Sequence, residues 1–123
     1  ARSNFTNASI TASFFRGADL SQSNFHLARL DKSNFSLTNM TSCSAIQVSG
    51  SGTRFVRANL TNATFLSSKL IGGAFRNANL SGTCFDDCDL THADFSKSTT
   101  TKATTFINAN LSRTLFTKSK SIQ

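Results

Sequence analysis

The chain has 123 residues, enough for one domain, and carries 13 Lys and Arg against six Asp and no Glu, a formal net charge of +7. It has 12 Phe but no Pro, Trp or Tyr, and no apolar run long enough to span a bilayer as a helix. No signal or transit segment is visible; with no initiator Met and an opening already in register, the expectation is a processed or trimmed chain.

From the first residues onward, large apolar side chains fall on every fifth position: Phe5, Ile10, Phe15, Leu20, Phe25, Leu30, Phe35 and Met40. A small residue precedes each by two, as in Ser3, Ala8, Ser13 and Ala18. Residues 44–52 keep the register but put Ala45 and Gly50 where Phe and Leu belong. A locally thin core is expected there, with Ile46 or Val48 turned inward; Gly50→Leu would stabilise an underfilled site. The pattern returns at Phe55 and runs unbroken to Phe95. Residues 98–105 hold one extra residue, read as a bulge or small loop at a corner. The spacing resumes at Phe106, Leu111 and Phe116.

A period of five excludes an α-helix, because at about 100° per residue the apolar positions would spiral round and share no face. It also excludes a strand alternating with period two. Spacings of two and then three fit a short extended step followed by a bend, so the chain must wind round an axis. The large position alternates Phe with Leu, Ile or Met, and stacking like on like requires a coil of whole multiples of ten residues. Three sides would stack Phe on Leu, and two enclose little. Four sides give continuous columns, one of them Phe15, Phe35, Phe55, Phe75, Phe95 and Phe116. About six coils at ~4.8 Å make a rod on the order of 29 Å long.

The runs Ala18-Asp19-Leu20, Ala58-Asn59-Leu60, Ala78-Asn79-Leu80 and Ala109-Asn110-Leu111 carry the pattern A-(D/N)-L-x-x. The chain thereby resembles the pentapeptide repeat family over residues 3 to 118. That resemblance implies an all-β, right-handed quadrilateral β-helix; four sides follow from the residues, whereas the right hand follows only from the family. Residues 1–123 are read as a single solenoid domain. The resemblance also points to a thylakoid lumen or other photosynthetic compartment. Family members that mimic DNA and protect gyrase carry an acidic surface, so the +7 charge disfavours that role. Neither terminus shows an amphipathic capping helix, and an uncapped solenoid exposes strand edges, so a longer chain or a partner over one end is expected.

Counting modulo twenty sorts the outward residues by side. The Phe15 side collects Arg16, Arg54, Arg57, Arg76, Lys97 and Lys118 against one acid, Asp94, interleaved with Phe14, Leu37, Val56 and Leu115. A basic stripe with apolar interleaving is a footprint for an acidic partner. Protein is the expected partner, with nucleic acid or an anionic membrane surface as the alternative. The Phe5 side carries a second candidate strip, Leu27, Ile46, Leu66 and Ile107 beside His26. The Leu20 side presents Asp19, Asn39, Asn59 and Asn79 with Ser21, Thr41, Thr61 and Ser81, a polar ladder expected to hydrogen-bond along the stack. Its mixture of Ser and Thr argues against an ice-binding surface.

Catalytic chemistry finds little to stand on. His26 and His92 fall three coils apart, no Ser-His-Asp or Cys-His pair is brought together, and no Gly-rich phosphate loop exists. Cys84, Cys88, Asp89 and His92 suggest metal ligands at first sight, but Cys88 takes an inward position and Cys84 an outward one. Cys43 is inward too and lies ~10 Å from Cys84, too far for a disulfide. The sequence therefore predicts a non-catalytic interaction module without metal or cofactor, a small subunit of a larger assembly.

Overall fold

A computed structural model describes residues 1–122 of the chain. Parallel bridges join each residue before a large apolar position to its counterpart one coil on: Asn4 to Asn24, Ser9 to Arg29, Phe14 to Asn34 and Asp19 to Asn39. Four such bridges in every twenty residues make a four-sided coil. The backbone bonds explain the five-residue step. Phe5 N–H donates to Asn24 O at 2.7 Å, and Asn24 N–H donates back to Ser3 O at 2.9 Å. Ala8 N–H closes the corner on Phe5 O at 2.9 Å, and Asn7 N–H reaches His26 O at 2.9 Å in the next coil.

That last bond requires a positive φ at the second corner residue. Corners show φ near +60° even where the residue is Leu27, Leu37, Arg57 or His92. Such a conformation costs on the order of 1 kcal/mol per non-glycine residue. The bond each of these N–H groups makes to the neighbouring coil offsets the cost, as when Arg57 N–H donates to Arg76 O at 2.9 Å.

Inside, the Phe15 column stacks as expected. Phe55 and Phe75 lie 5.0 Å apart and 8° from parallel, and Phe75 and Phe95 lie 4.7 Å apart at 4°. A second column on the Phe5 side, Phe65, Phe85 and Phe106, meets the first edge to face; Phe75 and Phe85 are 5.3 Å apart at 84°. Phe25 through Phe95 are fully buried wherever they occur. Both stacked and edge-to-face contacts suit the quadrupole of the ring. At the last coil the enclosure opens, and Leu111 and Phe116 are 39% and 40% exposed.

The small inward position is also a bonding position. Thr53 Oγ1 donates to Leu30 O at 2.9 Å, Ser68 Oγ to Ala45 O at 2.9 Å, and Thr83 Oγ1 to Leu60 O at 2.8 Å. Cys43 and Cys88 place Sγ in the same role, on Leu20 O and Phe65 O. A buried hydroxyl here finds a backbone carbonyl, of the coil before it or, for Thr38 and Ser98, of its own turn, which is why Ser, Thr and Cys alternate freely with Ala.

At residues 44–52 the core is repaired locally. Val48 occupies the small position and is buried, whereas Ile46 stays half-buried on the outer side. The space beside Gly50 is already taken: a Cβ there would stand 2.9 Å from both Leu70 Cδ2 and Thr53 Oγ1. Gly50 is thus a close-approach glycine, and its replacement by Leu has no void to fill.

The extra residue near 100 lengthens a side. Strand β1, Thr99–Thr101, pairs in parallel with β2, Lys120–Ile122, and the spacing between bridged partners passes from twenty at Asn79–Thr99 to twenty-one at Cys84–Thr105. The corner then starts at Thr101, whose carbonyl accepts from Thr104 N–H at 3.1 Å. Ala103 lacks the positive φ found at the equivalent residue of the other corners. Thr101 Oγ1 takes over a backbone role by accepting from Gly82 N–H at 3.2 Å.

Candidate interaction surface

The Phe15 side presents three outward columns. Phe14, Asn34, Arg54, Ala74, Asp94 and Leu115 are bridged in sequence from coil to coil. Beside them run Arg16, Ser36, Val56, Arg76, Ser96 and Thr117, whose carbonyls from Ser36 onward accept from the third column, Gly17, Leu37, Arg57, Asn77 and Lys97. The ladder spacing therefore holds long cationic side chains side by side. Two shallow depressions follow, of about 350 and 360 Å³. Arg16, Arg54, Arg57 and Arg76 line the first; Arg76, Asp94, Lys97 and Lys118 line the second. All six cations singled out in the sequence thus border one of two neighbouring depressions that share Arg76.

Their charge is largely uncompensated. Among the described residues the one ion pair is Arg76 to Asp94, at 3.7 Å. Partial burial pushes the Asp94 carboxyl up, but the nearby Ser96 hydroxyl, the Ser96 N–H that donates to Oδ1 at 2.9 Å and the Arg76 charge outweigh it and hold the group below its ordinary value. Phe14 is 83% exposed, and Leu37 and Leu115 are about half exposed, so apolar area lies among the cations.

One residue of this face escaped the sequence reading. Ser36 lines the first depression, is only 6% exposed, and its hydroxyl has no hydrogen-bond partner. Its N–H donates to Asn34 Oδ1 at 2.9 Å. In seven other turns the hydroxyl two residues after an Asn or Asp donates to that side chain, as Thr61 does to Asn59. The Asn34-x-Ser36 pattern is the same as in those turns, so no sequence signal distinguishes it.

The other candidate surface is interrupted. Leu27, Ile46 and Leu66 follow one another, with Leu27 N–H donating to Ile46 O at 3.0 Å. Ile107 is cut off from them by Asp86, whose Oδ1 accepts from Ile107 N–H at 2.9 Å. Leu27 and Ile107 are exposed, whereas Ile46 and Leu66 are half-buried.

The Leu20 side corrects an expectation. Its Asx Oδ1 atoms accept within their own turns: Asn39 from Thr41 N–H and Oγ1 at 3.1 and 2.6 Å, Asn59 from Thr61 at 3.1 and 2.6 Å. These bonds tighten each corner rather than linking one coil to the next, because an Asx oxygen reaches the backbone two residues on more easily than the coil 4.8 Å away. Asp19 does likewise to Ser21, which holds its carboxyl below the ordinary value.

Cys43, Cys84 and Cys88 are free thiols. Burial pushes Cys88 up to about 12 and Cys43 up to about 11, so neither is a thiolate near neutrality. Cys88 faces the core while Cys84 is half-buried on the outer side. Among the described residues no three of His, Cys, Asp and Glu converge on a common point. Among the described residues no helix is long and apolar enough to cross a membrane.

No curated protein matches the chain. Among solved structures, it is similar to the pentapeptide repeat protein Rfr23 of the cyanobacterium Cyanothece 51142, at 16% identity and a TM-score of 0.65, over 98% of this chain and 85% of that one. It is also similar to QnrB1, a plasmid-mediated fluoroquinolone resistance protein, at 16% identity and a TM-score of 0.51, over 100% and 86%. A pentapeptide repeat protein of the Arabidopsis thaliana thylakoid lumen aligns at 23% identity and a TM-score of 0.49, over 78% and 63%. At such identities the likeness is one of fold. The family model for pentapeptide repeats matches eight copies, over residues 3–44 and 58–97, leaving a gap around Gly50. With well over half its length so matched and its coils closing every twenty residues, the chain belongs to the pentapeptide repeat family, and its fold is the right-handed quadrilateral β-helix.

Proposed function

We propose that this chain is a non-catalytic protein-interaction module that docks an acidic protein partner through its Phe15 side. The observation that carries the reading is the grouping of Arg16, Arg54, Arg57, Arg76, Lys97 and Lys118 round two adjoining depressions with a single ion pair among them. Such a field steers acidic surfaces in solution. The apolar groups between the cations, Phe14, Leu37 and Leu115, supply area to bury once contact is made. A nucleic acid partner would be better served by several exposed rings for base stacking, and this face offers Phe14 alone. A gyrase-directed DNA mimic needs the opposite charge. Catalysis is disfavoured by the separation of His26 from His92 and by the burial of Cys43 and Cys88.

Affinity capture from nuclease-treated extract of the native source, at low and at moderate salt, tests this. The expected result is a discrete set of acidic proteins that is released as salt rises. Retention of nucleic acid alone, with a steep salt dependence and no protein, would replace the reading with that of a polyanion binder.

A further inference from the structure

The first depression has one buried wall residue, Ser36, and that residue has a hydroxyl with nothing to bond. An unpaired buried hydroxyl is unfavourable and uncommon in a native structure. Here the usual remedy is at hand and unused: Asn34 Oδ1 accepts the Ser36 N–H, yet the hydroxyl does not join it as it does in seven other turns. Ser36 thus brings an unpaired, buried hydroxyl to the wall of a depression whose ionisable members are all arginines: Arg16, Arg54, Arg57 and Arg76. Arg76 already faces Asp94, whereas no carboxylate pairs with the other three. Arg16 stands one coil before Ser36, and Arg54 and Arg57 stand one coil after it.

We propose that this depression binds a phosphoryl group, with the Ser36 side chain turning about χ1 to bring its buried hydroxyl to one oxygen and Arg16, Arg54 and Arg57 supplying the charge. Three unneutralised guanidinium forks match a tetrahedral group bearing close to two negative charges better than a single carboxylate. The phosphoryl group has two possible sources, free phosphate or a phosphorylated side chain on the docked protein. The inference rests on the Phe15 side being the docking face and names the group that the face would hold.

Titration of the 15N-labelled protein at constant ionic strength tests it, using inorganic phosphate, a short phosphoserine peptide, and the same peptide with Glu in place of phosphoserine. Saturable shifts at the Ser36, Leu37 and Arg57 amides are expected with both phosphoryl probes. Tighter binding of the phosphoserine peptide than of inorganic phosphate assigns the group to a protein partner; equal binding assigns it to the free anion. Ser36→Ala should weaken phosphoryl binding about tenfold while leaving the melting temperature unchanged or raised, because the substitution removes an unpaired group. Equal binding by the Glu peptide, or unchanged binding in Ser36→Ala, would overturn the assignment. So would small shifts spread over remote basic residues such as Arg2, Arg29 and Arg113. Capture of acidic proteins by the Ser36→Ala variant, with phosphate binding lost, would leave docking intact and remove the phosphoryl contact from it.

Discussion

The Phe15 and Leu20 sides share a backbone, a bonding ladder and a core, and differ in what their polar groups have left to do. On the Leu20 side, Asp19, Asn39, Asn59 and Asn79 each accept both the N–H and the hydroxyl of the residue two further on. That side is polar yet largely satisfied within itself. On the Phe15 side the guanidinium groups of Arg16, Arg54 and Arg57 have no carboxylate, and the Ser36 hydroxyl has no partner. In a stacked coil the inward residues fix the fold, so outward chemistry can vary side by side without disturbing it. The polar groups the coil leaves unused gather on the Phe15 side.

The largest effect should ignore the difference between sides. Phe75 stacks on Phe55 and Phe95 and meets Phe65 and Phe85 edge on. Phe75→Ala should cost about 3–5 kcal/mol in urea melts, whereas Asn77→Ala on the surface nearby should stay within about 0.5 kcal/mol. Equal costs would contradict the inward stacking of the column.

Glycines at equivalent corners sharpen the comparison. At Gly82, on the Leu20 side, φ is +67° and an added Cβ would fall on Asn62 Oδ1; at Gly17, on the Phe15 side, φ is +78° and the space is open. The exposed Asn62 side chain can swing clear of the added Cβ, so the positive φ sets the cost at both sites, and Gly82→Ala and Gly17→Ala should each cost about 1 kcal/mol. Gly50→Leu should also destabilise, by about 1–3 kcal/mol, because Leu70 and Thr53 already fill the site. A gain in thermal stability at Gly50→Leu would show that the coil is underfilled after all.

A smaller contrast concerns side chains alone. Asn59→Ala removes the acceptor of two Thr61 bonds and should cost about 1 kcal/mol in the same melts. Arg57→Ala on the other side removes no ion pair and should change stability by less than about 0.5 kcal/mol.

The spacing of apolar residues made the coil, its four sides and the Phe15 column legible, because burial alone decides those positions. The six basic residues were legible too, since counting by twenties is enough to bring them together. Other features follow from backbone and rotamer geometry that residue types do not encode. The hydroxyls of Thr53, Ser68 and Thr83 read as merely small, yet each bonds the coil before. Leu27 and Arg57 give no hint that they accept a positive φ. The extra residue near 100 was legible as a bulge or small corner loop, but not that it lengthens the side from Thr99 to Thr101 ahead of the corner. Ser36 differs from Thr61 only in where its hydroxyl points, which its Asn-x-Ser context does not reveal.

The smallest expected effect is on acidity. Asp94 is held below the ordinary carboxyl value, so it binds a proton less readily folded than unfolded. Its contribution to stability is therefore present above the unfolded value of about 3.9 and lost as pH falls through the folded one. Thermal melts of the wild type and Asp94→Asn should differ slightly at neutral pH and converge in acid. A difference that grows in acid would contradict the sign.

The claim that the Phe15 side is the docking surface is tested most directly by reversing its charge. The variant carrying Arg54→Glu, Arg57→Glu and Arg76→Glu should melt within a few degrees of the wild type, because all three side chains point outward and the one ion pair lost, Arg76 to Asp94, is partly exposed. It should lose the acidic proteins that the wild type captures from its native source, while a Leu27→Ala, Leu66→Ala variant retains them. Full capture by the triple variant, with loss in the Leu27 and Leu66 variant, would contradict the account and move the interface to the apolar strip on the Phe5 side.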